Sequence, residues 1–583
     1  MEKLQNILLP NHDFSAPENM YVRTNNRTTI FAEPKRIEFR AGGKAKLDTY
    51  YNSISVGALK RITSIDNLHL ALEGQGCFLL KIGLHRLGNP HRWLMEKEVQ
   101  LPLEAPLGLP WSSLEDGMLY VALEALGEGT LTGGSFLTDT QLATTVKLGM
   151  VITHFNRKPF VVPAIARIRE QLLSQPELAG KIELIVVDNS KNLTAEETLG
   201  TTLIPNQNYG GSGGFTRGLL HLIDNSFTHC LFMDDDATCE IESIRRTYIL
   251  QCFAAKPELA ISGALLNETQ PSILIEKGAV YRGGGWCALN HNKSVIGVQS
   301  LLGLEQKQHK NSYGAWWFFC FKISEVKAFP FPFFVRGDDV FFGIKNNFSI
   351  ETINGISCFA ESFYVKDNPF TRYSDTRAIL VIILQSAKAS RIKGVRIILA
   401  WLIANLLSYN YARAIAILNA ITDTMQGPKF WVENIDMGAV RAKLAPLNAE
   451  EKMAPVSLAD YDLAYRGEQE GRLRRFIRII TLNGMLLPSF LLRDSMVFEV
   501  KSSQASFAKI FRFKRVLYYS EATRLGYVAT LSQRRFLSIM IRSACVLGKL
   551  FFKFTQLRND YQKALPEMTS EAFWRKIYQE KGE

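Results

Sequence analysis

The chain has 583 residues, more than one hydrophobic core usually supports, so about two to four domains are expected. Hydrophobic residues make up 47% of it and charged residues 21%, a balance that excludes a disordered or fibrous protein. Its eight cysteines are scattered without a Cys-x-x-Cys pair, which indicates reduced thiols and argues against structural zinc.

The net charge of +12 is concentrated in what we call the basic segment, residues 471–560, where 17 basic residues face 4 acidic ones. Such a segment indicates an electrostatic partner, either nucleic acid or an anionic membrane surface, although a solvated basic face is the alternative. Its stretches Phe507–Tyr519 and Arg534–Phe554 mix Arg and Lys with aromatic and aliphatic residues. That composition is typical of helices lying on a membrane surface, so we expect a membrane partner and no nucleic acid.

No secretory signal is recognisable at the start of the chain, and no apolar stretch approaches the ~20 residues needed to span a bilayer. We therefore expect a cytoplasmic protein that is peripheral to the inner face of the cell membrane. The sequence leaves open whether it forms a homo-oligomer.

The first zone, residues 1–148, contains short β-type runs separated by Gly, Pro and Asn. Examples are Thr28–Ala32, Cys77–Ile82 and Met118–Ala122. Short strands with regular turn signals predict an N-terminal β-sandwich, or jelly-roll-like, domain.

The second zone, residues 149–374, alternates strands with helices and predicts an α/β domain. The apolar runs Leu148–Thr153, Ile182–Val187 and His229–Met233 suit buried parallel strands, whose carboxyl ends carry ligand sites in open α/β sheets. The third zone, residues 375–583, is predicted to be a mainly helical, basic and membrane-associating region.

Three adjacent carboxylates, Asp234, Asp235 and Asp236, follow the strand His229–Met233. They repel one another, so a fold tolerates them mainly where a cation offsets their charge. Alternate residues of an extended segment face the same side, so we expect Asp234 and Asp236 to hold a hard divalent cation together. A solvated acidic turn is the alternative.

Three further motifs are candidates for binding or catalysis. Asn208–Phe215 is a dense glycine loop whose amides could approach a ligand, or a plain flexible loop. Asp338-Asp339 follows an aromatic run, where a carboxylate gains a pKa suited to a general base, although Asp after Gly is also a common helix cap. Trp316-Trp317 is either core or a sugar-binding platform.

These motifs resemble, in order and approximate spacing, those of family 2 glycosyltransferases of the GT-A fold. More narrowly, the chain is similar to bacterial polymerising UDP-galactofuranose transferases. The resemblance covers about Asp48 to Arg377, and the glycine loop is its most specific element. It implies an inverting enzyme that moves galactofuranose from a nucleotide-sugar donor onto a lipid-linked glycan acceptor.

The resemblance also implies a role for each candidate residue. Mn²⁺ or Mg²⁺ would lie on Asp234 and Asp236, and Asp339 would take the proton of the attacking hydroxyl. Trp316, Trp317 and Asp338 would bind the acceptor. The uridine diphosphate would contact the remaining candidates: Phe155, Arg157, Asp188, Asn208 and Asp235.

Two positions depart from the family pattern. A metal-binding His of the family corresponds to Ala360, whose methyl group cannot ligate a metal, and a second family His corresponds to Asp375. These departures leave two alternatives open: a family 2 transferase with another nucleotide-sugar donor, or a non-catalytic carbohydrate-binding protein.

Overall fold

The structure is a computed structural model that describes residues 1–11, 16–282, 285–305, 310–361, 367–386, 390–500 and 505–581. Four residues of the basic segment, 501–504, lie outside these ranges. The chain forms an antiparallel β region, then a mixed α/β region, then a mainly helical region. The domain limits at 148/149 and 374/375 stay predictions.

The first region is built of antiparallel strands around the long strand β7. The first half of β7 pairs with β11, and its second half pairs with β8 and β10. The sandwich arrangement of these strands stays a prediction. The elements are β1 (Glu2–Asn6), β2 (Arg23–Thr24), β3 (Thr28–Phe31), β4 (Arg36–Phe39), β5 (Lys44–Lys46), β6 (Ile54–Ser55), α1 (Val56–Ile62), β7 (His69–His85), β8 (Arg92–Leu101), β9 (Leu107–Gly108), β10 (Met118–Ala125) and β11 (Gly129–Thr138).

The second region carries a mixed sheet and a smaller one beside it. Its helices are α2 (Lys158–Ile168), α3 (Gly210–Asp224), α4 (Ile241–Cys252), α5 (Val298–Glu305) and α6 (Asp338–Asn346). Its strands are β12 (Leu148–His154), β13 (Ile182–Asp188), β14 (Thr202–Pro205), β15 (His229–Asp234), β16 (Thr238–Cys239), β17 (Leu259–Ser262), β18 (Ala264–Asn267), β19 (Gln270–Glu276), β20 (Ala279–Arg282), β21 (Gly285–Ala288), β22 (Phe319–Lys322), β23 (Ser349–Glu351) and β24 (Ser357–Ala360).

The main sheet has the strand order β14-β13-β12-β15-β22-β17-β23. The first four strands are parallel. The three that the apolar runs predict, β12, β13 and β15, are largely buried on both faces, as is typical of a parallel sheet. β22 then runs antiparallel between β15 and β17. The smaller sheet, in the order β16-β24-β18-β19, lies directly after the end of β15 in the chain.

The third region is mainly helical but also contains a five-stranded sheet. The prediction that Phe507–Tyr519 is helical was wrong beyond its first turn, because β28 pairs with strands on both sides. Its elements are α7 (Pro369–Gln385), α8 (Arg391–Leu407), α9 (Tyr411–Thr424), α10 (Lys429–Glu433), α11 (Gly438–Glu450), β25 (Ala454–Pro455), β26 (Leu463–Ala464), α12 (Arg472–Ile480), β27 (Arg493–Val500), α13 (Phe507–Ile510), β28 (Phe513–Ser520), β29 (Leu525–Thr530), α14 (Gln533–Met568) and α15 (Glu571–Lys581).

None of the helices in the described ranges combines the length and the apolar character that crossing a bilayer requires. The longest, α14, packs its buried side against α7, α8 and α9.

The last helix, α15, returns to the α/β region and packs on α3. The buried Trp574 indole donates a hydrogen bond to the carbonyl of Pro330 at 2.7 Å. The Tyr578 hydroxyl donates to the carbonyl of Gly213 at 2.6 Å. The end of the chain therefore supports the glycine-rich start of α3.

Candidate active site

The carboxyl ends of β12, β13 and β15 meet at one edge of the main sheet. Thr153 pairs in register with Asp234, and His154 pairs with Asp188. The two strand-end acids that the sequence singles out, Asp188 on β13 and Asp234 on β15, therefore lie on either side of β12 at one edge of the sheet.

Asp235 is buried and faces the end of β12. Its carboxylate accepts hydrogen bonds from the His154 ring at 3.3 Å, the Phe155 backbone N–H at 3.2 Å and Arg157 at 3.4 Å. Burial lowers the pKa of His154, but its hydrogen bonds to Asp235 and Asn192 outweigh burial, so the pKa is raised. Asp235 therefore fixes the turn 154–157 and leaves the Phe155 ring 41% exposed at the sheet edge.

Asp234 and Asp236 are both partly exposed, and Arg157 forms an ion pair with Asp236. In the described part of the chain, no group of three or more His, Cys, Asp or Glu side chains is arranged to hold a metal ion. Two carboxylates are nevertheless enough for Mg²⁺ or Mn²⁺ when phosphate oxygens complete the coordination. The donor set fits a cation that arrives with a diphosphate.

Ala360 ends β24, which pairs with β16 just after the acidic run. Burial chiefly raises the pKa of the Cys358 thiol well above its ordinary value, and the charges of Asp234 and Asp236 add to it. The segment where the family carries its metal-binding His thus lies beside the acidic run, with a methyl group in that position. Glu361 follows it and is partly buried.

Asp188 and Asn208 shape loops around this edge. The buried Asp188 carboxylate accepts three backbone hydrogen bonds of 2.8 Å, from Ser190, Asn192 and Leu193. The Asn208 side chain accepts from the backbone N–H of Gly210 at 3.0 Å. Both side chains therefore hold the backbone next to the site. Their contact with the uridine diphosphate stays a prediction.

The glycine loop proves to be the first turns of α3, which begins at Gly210. A Cβ atom on Gly214 would lie 2.2 Å from Thr153, and one on Gly218 would lie 2.2 Å from Val151. Gly210 has a φ of +69° and lies against the carbonyl of Phe334. The glycines therefore allow α3 to lie close against β12 and against the loop that carries Asp338.

Asp338 and Asp339 form the first turn of α6, after a loop in which Phe334, Arg336 and Gly337 all have positive φ. A left-handed backbone at non-glycine residues is strained and is often found at functional sites. The Ser212 hydroxyl donates to Asp338 at 3.1 Å, which links the pair to α3. Burial, and then the neighbouring Asp338 charge, raises the pKa of Asp339 to about 7.

Arg336 lies between this pair and Asp375, the residue at the family's second His position. Its guanidinium forms a 3.0 Å ion pair with the buried Asp375. The charge of Asp375 and then that of Asp339 raise the pKa of Arg336 and outweigh burial, which lowers it. Asp375 thus anchors a permanent cation next to the buried acidic pair.

The two tryptophans differ in their surroundings. Trp316 is 4% exposed and packs edge-on against Phe215, Phe232 and Phe342. Within the described residues, its buried indole N–H has no hydrogen-bond partner. Trp317 is less buried and donates to the carbonyl of Gly263 at 3.2 Å.

One cavity of about 390 Å³ is lined by several of the predicted site residues. It is bounded by residues from the end of β15, the start of α3, the 313–317 loop and the start of α6. The predicted site residues that line it are Asp234, Trp316, Trp317, Asp338 and Asp339. The acidic run and the acidic pair, which are about 100 residues apart in the chain, therefore open onto one space.

The same cavity contains three side chains that the sequence interpretation missed, namely Glu276, Trp286 and Tyr313. Burial, together with the charge of Asp339, raises the pKa of Glu276 well above its ordinary value. Glu276 ends the apolar strand β19, the same signal that identified the other strand-end acids. Single aromatic residues such as Trp286 and Tyr313 carry no comparable signal.

No model of a known protein family matches the chain. Sequence comparison finds the galactofuranosyltransferase GlfT2 of Mycobacterium tuberculosis, 24% identical over an alignment of 436 residues. The alignment covers 68% of this chain and 68% of that protein. The GlfT2 of Mycolicibacterium smegmatis is 28% identical over 380 residues, 59% of this chain and 58% of that protein. The chain is a glycosyltransferase similar to GlfT2.

Among solved structures, a mannosyltransferase from Pyrobaculum calidifontis in complex with GDP-mannose and Mn²⁺ aligns with 53% of this glycosyltransferase and 85% of its own chain, at 16% identity and a TM-score of 0.29. The GlfT2-like assignment therefore rests on the sequence matches.

Proposed function

We propose that this glycosyltransferase has the GT-A fold and transfers galactofuranose from UDP-galactofuranose to a glycan acceptor, with inversion at the anomeric carbon. The observation that carries the proposal is the cavity shared by Asp234 and Asp339, because a donor at one end and an acceptor at the other would meet inside it. The named activity of the two relatives supports the choice of sugar.

The donor end is the edge formed by β12, β13 and β15. The exposed Phe155 ring offers an apolar face to a base, and Arg157 offers a guanidinium to a diphosphate. Asp234 and Asp236 would hold the divalent cation, which supplies positive charge against the leaving diphosphate when bound. On donor binding, Arg157 would exchange its ion pair with Asp236 for contact with phosphate oxygens.

The acceptor end is the wall formed by Trp316, Trp317 and the start of α6. The Trp316 N–H, which has no hydrogen-bond partner among the described residues, can donate to a sugar oxygen, and the Glu276 and Asp338 carboxyls can hydrogen-bond to sugar hydroxyls. Asp339 takes the proton of the attacking hydroxyl while that oxygen bonds to the anomeric carbon and UDP leaves. One base and one direct displacement give inversion.

The test is transfer from a panel of UDP-sugars to a galactofuranose oligosaccharide, with and without Mn²⁺. We expect UDP-galactofuranose to be used at least about tenfold faster than UDP-galactopyranose, because a site that hydrogen-bonds sugar hydroxyls discriminates against a ring that places them differently. Product anomeric configuration, read by nuclear magnetic resonance, tests inversion. A preference for another donor would overturn the choice of sugar and would leave the glycosyltransferase assignment in place.

We also propose that the acceptor is lipid-linked and that the protein works peripherally on the inner face of the cell membrane. The excess positive charge of the basic segment supports this placement, because anionic lipids attract such segments by about 1 kcal/mol per basic residue. Fractionation of cells at low and high salt tests it. Release into the soluble fraction at low salt would contradict it.

A further inference from the structure

A second cavity, of about 360 Å³, lies in the third region between α12 and the start of β27. We call it the arginine cavity because four arginines from four separate segments line it. They are Arg466, Arg474, Arg493 and Arg512, and the apolar lining is Leu473, Ile477, Leu487, Leu491 and Phe511.

The positive charges of the arginine cavity are only partly offset by a nearby acid, Glu470, whose charge acts on Arg474 and Arg466. In the described ranges, no salt bridge joins any of the four arginines to a carboxylate. The nearest acid, Glu470, is held by Arg478 at 2.5 Å. Burial, followed by the charges of the other three arginines, lowers the pKa of Arg466. An anion entering the cavity would relieve this repulsion.

Two of the four arginines are fixed by the protein, and two face the cavity without such anchors. Arg474 donates to the carbonyl of Ala508 at 2.5 Å, and Arg512 donates to the carbonyl of Leu491 at 2.8 Å. In the part of the chain that the structure describes, the guanidinium groups of Arg466 and Arg493 make no hydrogen bond. Their donors are available to a ligand, and the anchored pair sets the shape of the site.

Exposed apolar side chains surround the arginine cavity. None of the nine residues of α12 is buried. Leu473 is 73% exposed, Phe476 is 60% exposed, and Phe490, just before β27, is 82% exposed. A cationic pocket beside a bare apolar helix face matches the layered chemistry of a membrane surface, in which phosphate groups lie above acyl chains.

We propose that the arginine cavity binds the phosphate of an anionic lipid headgroup while the exposed apolar side chains of α12 enter the acyl layer. Guanidinium groups match phosphate oxygens in paired geometry, which a diffuse basic surface does not provide. A cavity of about 360 Å³ is of a size for one headgroup, whereas a nucleic-acid strand follows an extended groove. The inference deepens the proposed membrane partnership and rests on it, but it does not depend on the donor sugar.

The test measures binding of the full chain to vesicles whose anionic lipid carries either phosphate or a carboxylate. Phosphatidylcholine vesicles are doped with phosphatidic acid or, at matched surface charge, with cholesteryl hemisuccinate. The variant R466Q/R493Q removes the two unanchored arginines. The matched control, R472Q/R475Q, removes two exposed arginines of α12 that do not line the cavity. Circular dichroism and the melting temperature check that both variants are folded.

We expect the unmodified protein to prefer phosphatidic acid by about tenfold, the R466Q/R493Q variant to lose the preference, and the control to keep it while binding both vesicles more weakly. Soluble glycerol 3-phosphate should compete only weakly, because it lacks the acyl layer. Equal binding of the two vesicle types by the unmodified protein would overturn the inference. So would loss of the preference in the control, tight binding of glycerol 3-phosphate, or preferential binding of duplex DNA at matched salt.

If UDP-sugars are not used but the vesicle preference is as expected, the proposed sugar transfer fails and the lipid site stands. If transfer proceeds and the unmodified protein shows no preference, only the lipid site fails.

Discussion

The acidic run Asp234–Asp236 and the acidic pair Asp338–Asp339 meet at one cavity, yet the protein treats their charges in opposite ways. Asp234 and Asp236 of the run are partly exposed, and Arg157 forms ion pairs with Asp235 and Asp236. The pair is buried, and burial raises the pKa of both of its members. Solvent exposure and neighbouring charges thus suit the same residue type, aspartate, to different chemistry.

The comparison matters because a sugar transfer needs both kinds of acid at once. A permanently ionised carboxylate can hold a cation, but it is a weak proton acceptor at neutral pH. A carboxylate with a pKa near the working pH can accept a proton and release it afterwards. The sharpest way to test the comparison is to neutralise one set at a time.

The largest effect is expected at Asp339. Asp339→Asn keeps the shape of the side chain and removes the base, so transfer should fall by about a thousandfold. UDP binding and the melting temperature should be unchanged, because the variant removes a charge that burial already disfavours. Rates and calorimetric UDP affinity measure the two parts. Retained transfer would assign the proton to another group, with Glu276 as the first candidate.

A smaller loss, of about a hundredfold in transfer, is expected for Asp236→Asn, because one of two cation-holding carboxylates is gone. Unlike Asp339→Asn, this variant should also lose the gain in UDP affinity that Mn²⁺ provides, which calorimetry measures. Asp139→Asn, at an exposed carboxylate of the first region, is the matched control. If Mn²⁺ still increased the UDP affinity of Asp236→Asn as it does that of the unmodified protein, Asp236 would not be a metal ligand.

The third effect is a shift with pH. Since the pKa of Asp339 is raised to about 7, the base is protonated below that pH, and kcat/KM should fall by about tenfold per pH unit there. Asp338→Asn removes the like charge that raises this pKa, so the acid limb should move to lower pH by about one unit. Glu276→Gln leaves Asp338 in place, and Glu276 is not among the groups that shift the pKa of Asp339, so the limb should not move. If the acid limb of the pH profile did not move in Asp338→Asn, the charge of Asp338 would not be a cause of the raised pKa of Asp339.

The sequence predicts the two acid sets for a simple reason. Apolar runs that end in acids are local signals, and parallel strands bring their ends to one edge without further information. The β12, β13 and β15 strands follow the predicted runs within one residue. Glu276 carries the same local signal, but its nearness to Asp339 depends on how β19 packs in the smaller sheet.

Features that depend on long-range packing were not predictable. The segment Asn208–Phe215 reads as a loop because glycine disfavours helices in isolation. Here the missing side chains are what allows α3 to contact Thr153 and Val151. The sheet of the third region was missed because its strands alternate weakly. Buried aromatic residues and arginines on β27 and β28 give no clear period of two, and β26 and β25 are only two residues long.

The smallest effect concerns Ala360, where the exposed acidic run lacks the family's third ligand. Ala360→His should restore an imidazole beside Asp234 and Asp236 and lower the Mn²⁺ concentration for half-maximal transfer by about tenfold. The change with Mg²⁺ should be smaller, because nitrogen ligands favour transition metals. Ala360→Leu adds similar bulk without a donor atom and controls for crowding at this buried position. Metal titrations, together with electron paramagnetic resonance of bound Mn²⁺, separate ligation from crowding. Identical titrations for the two variants would mean that β24 does not face the cation, and the chain would then rely on two carboxylates and the donor diphosphate alone.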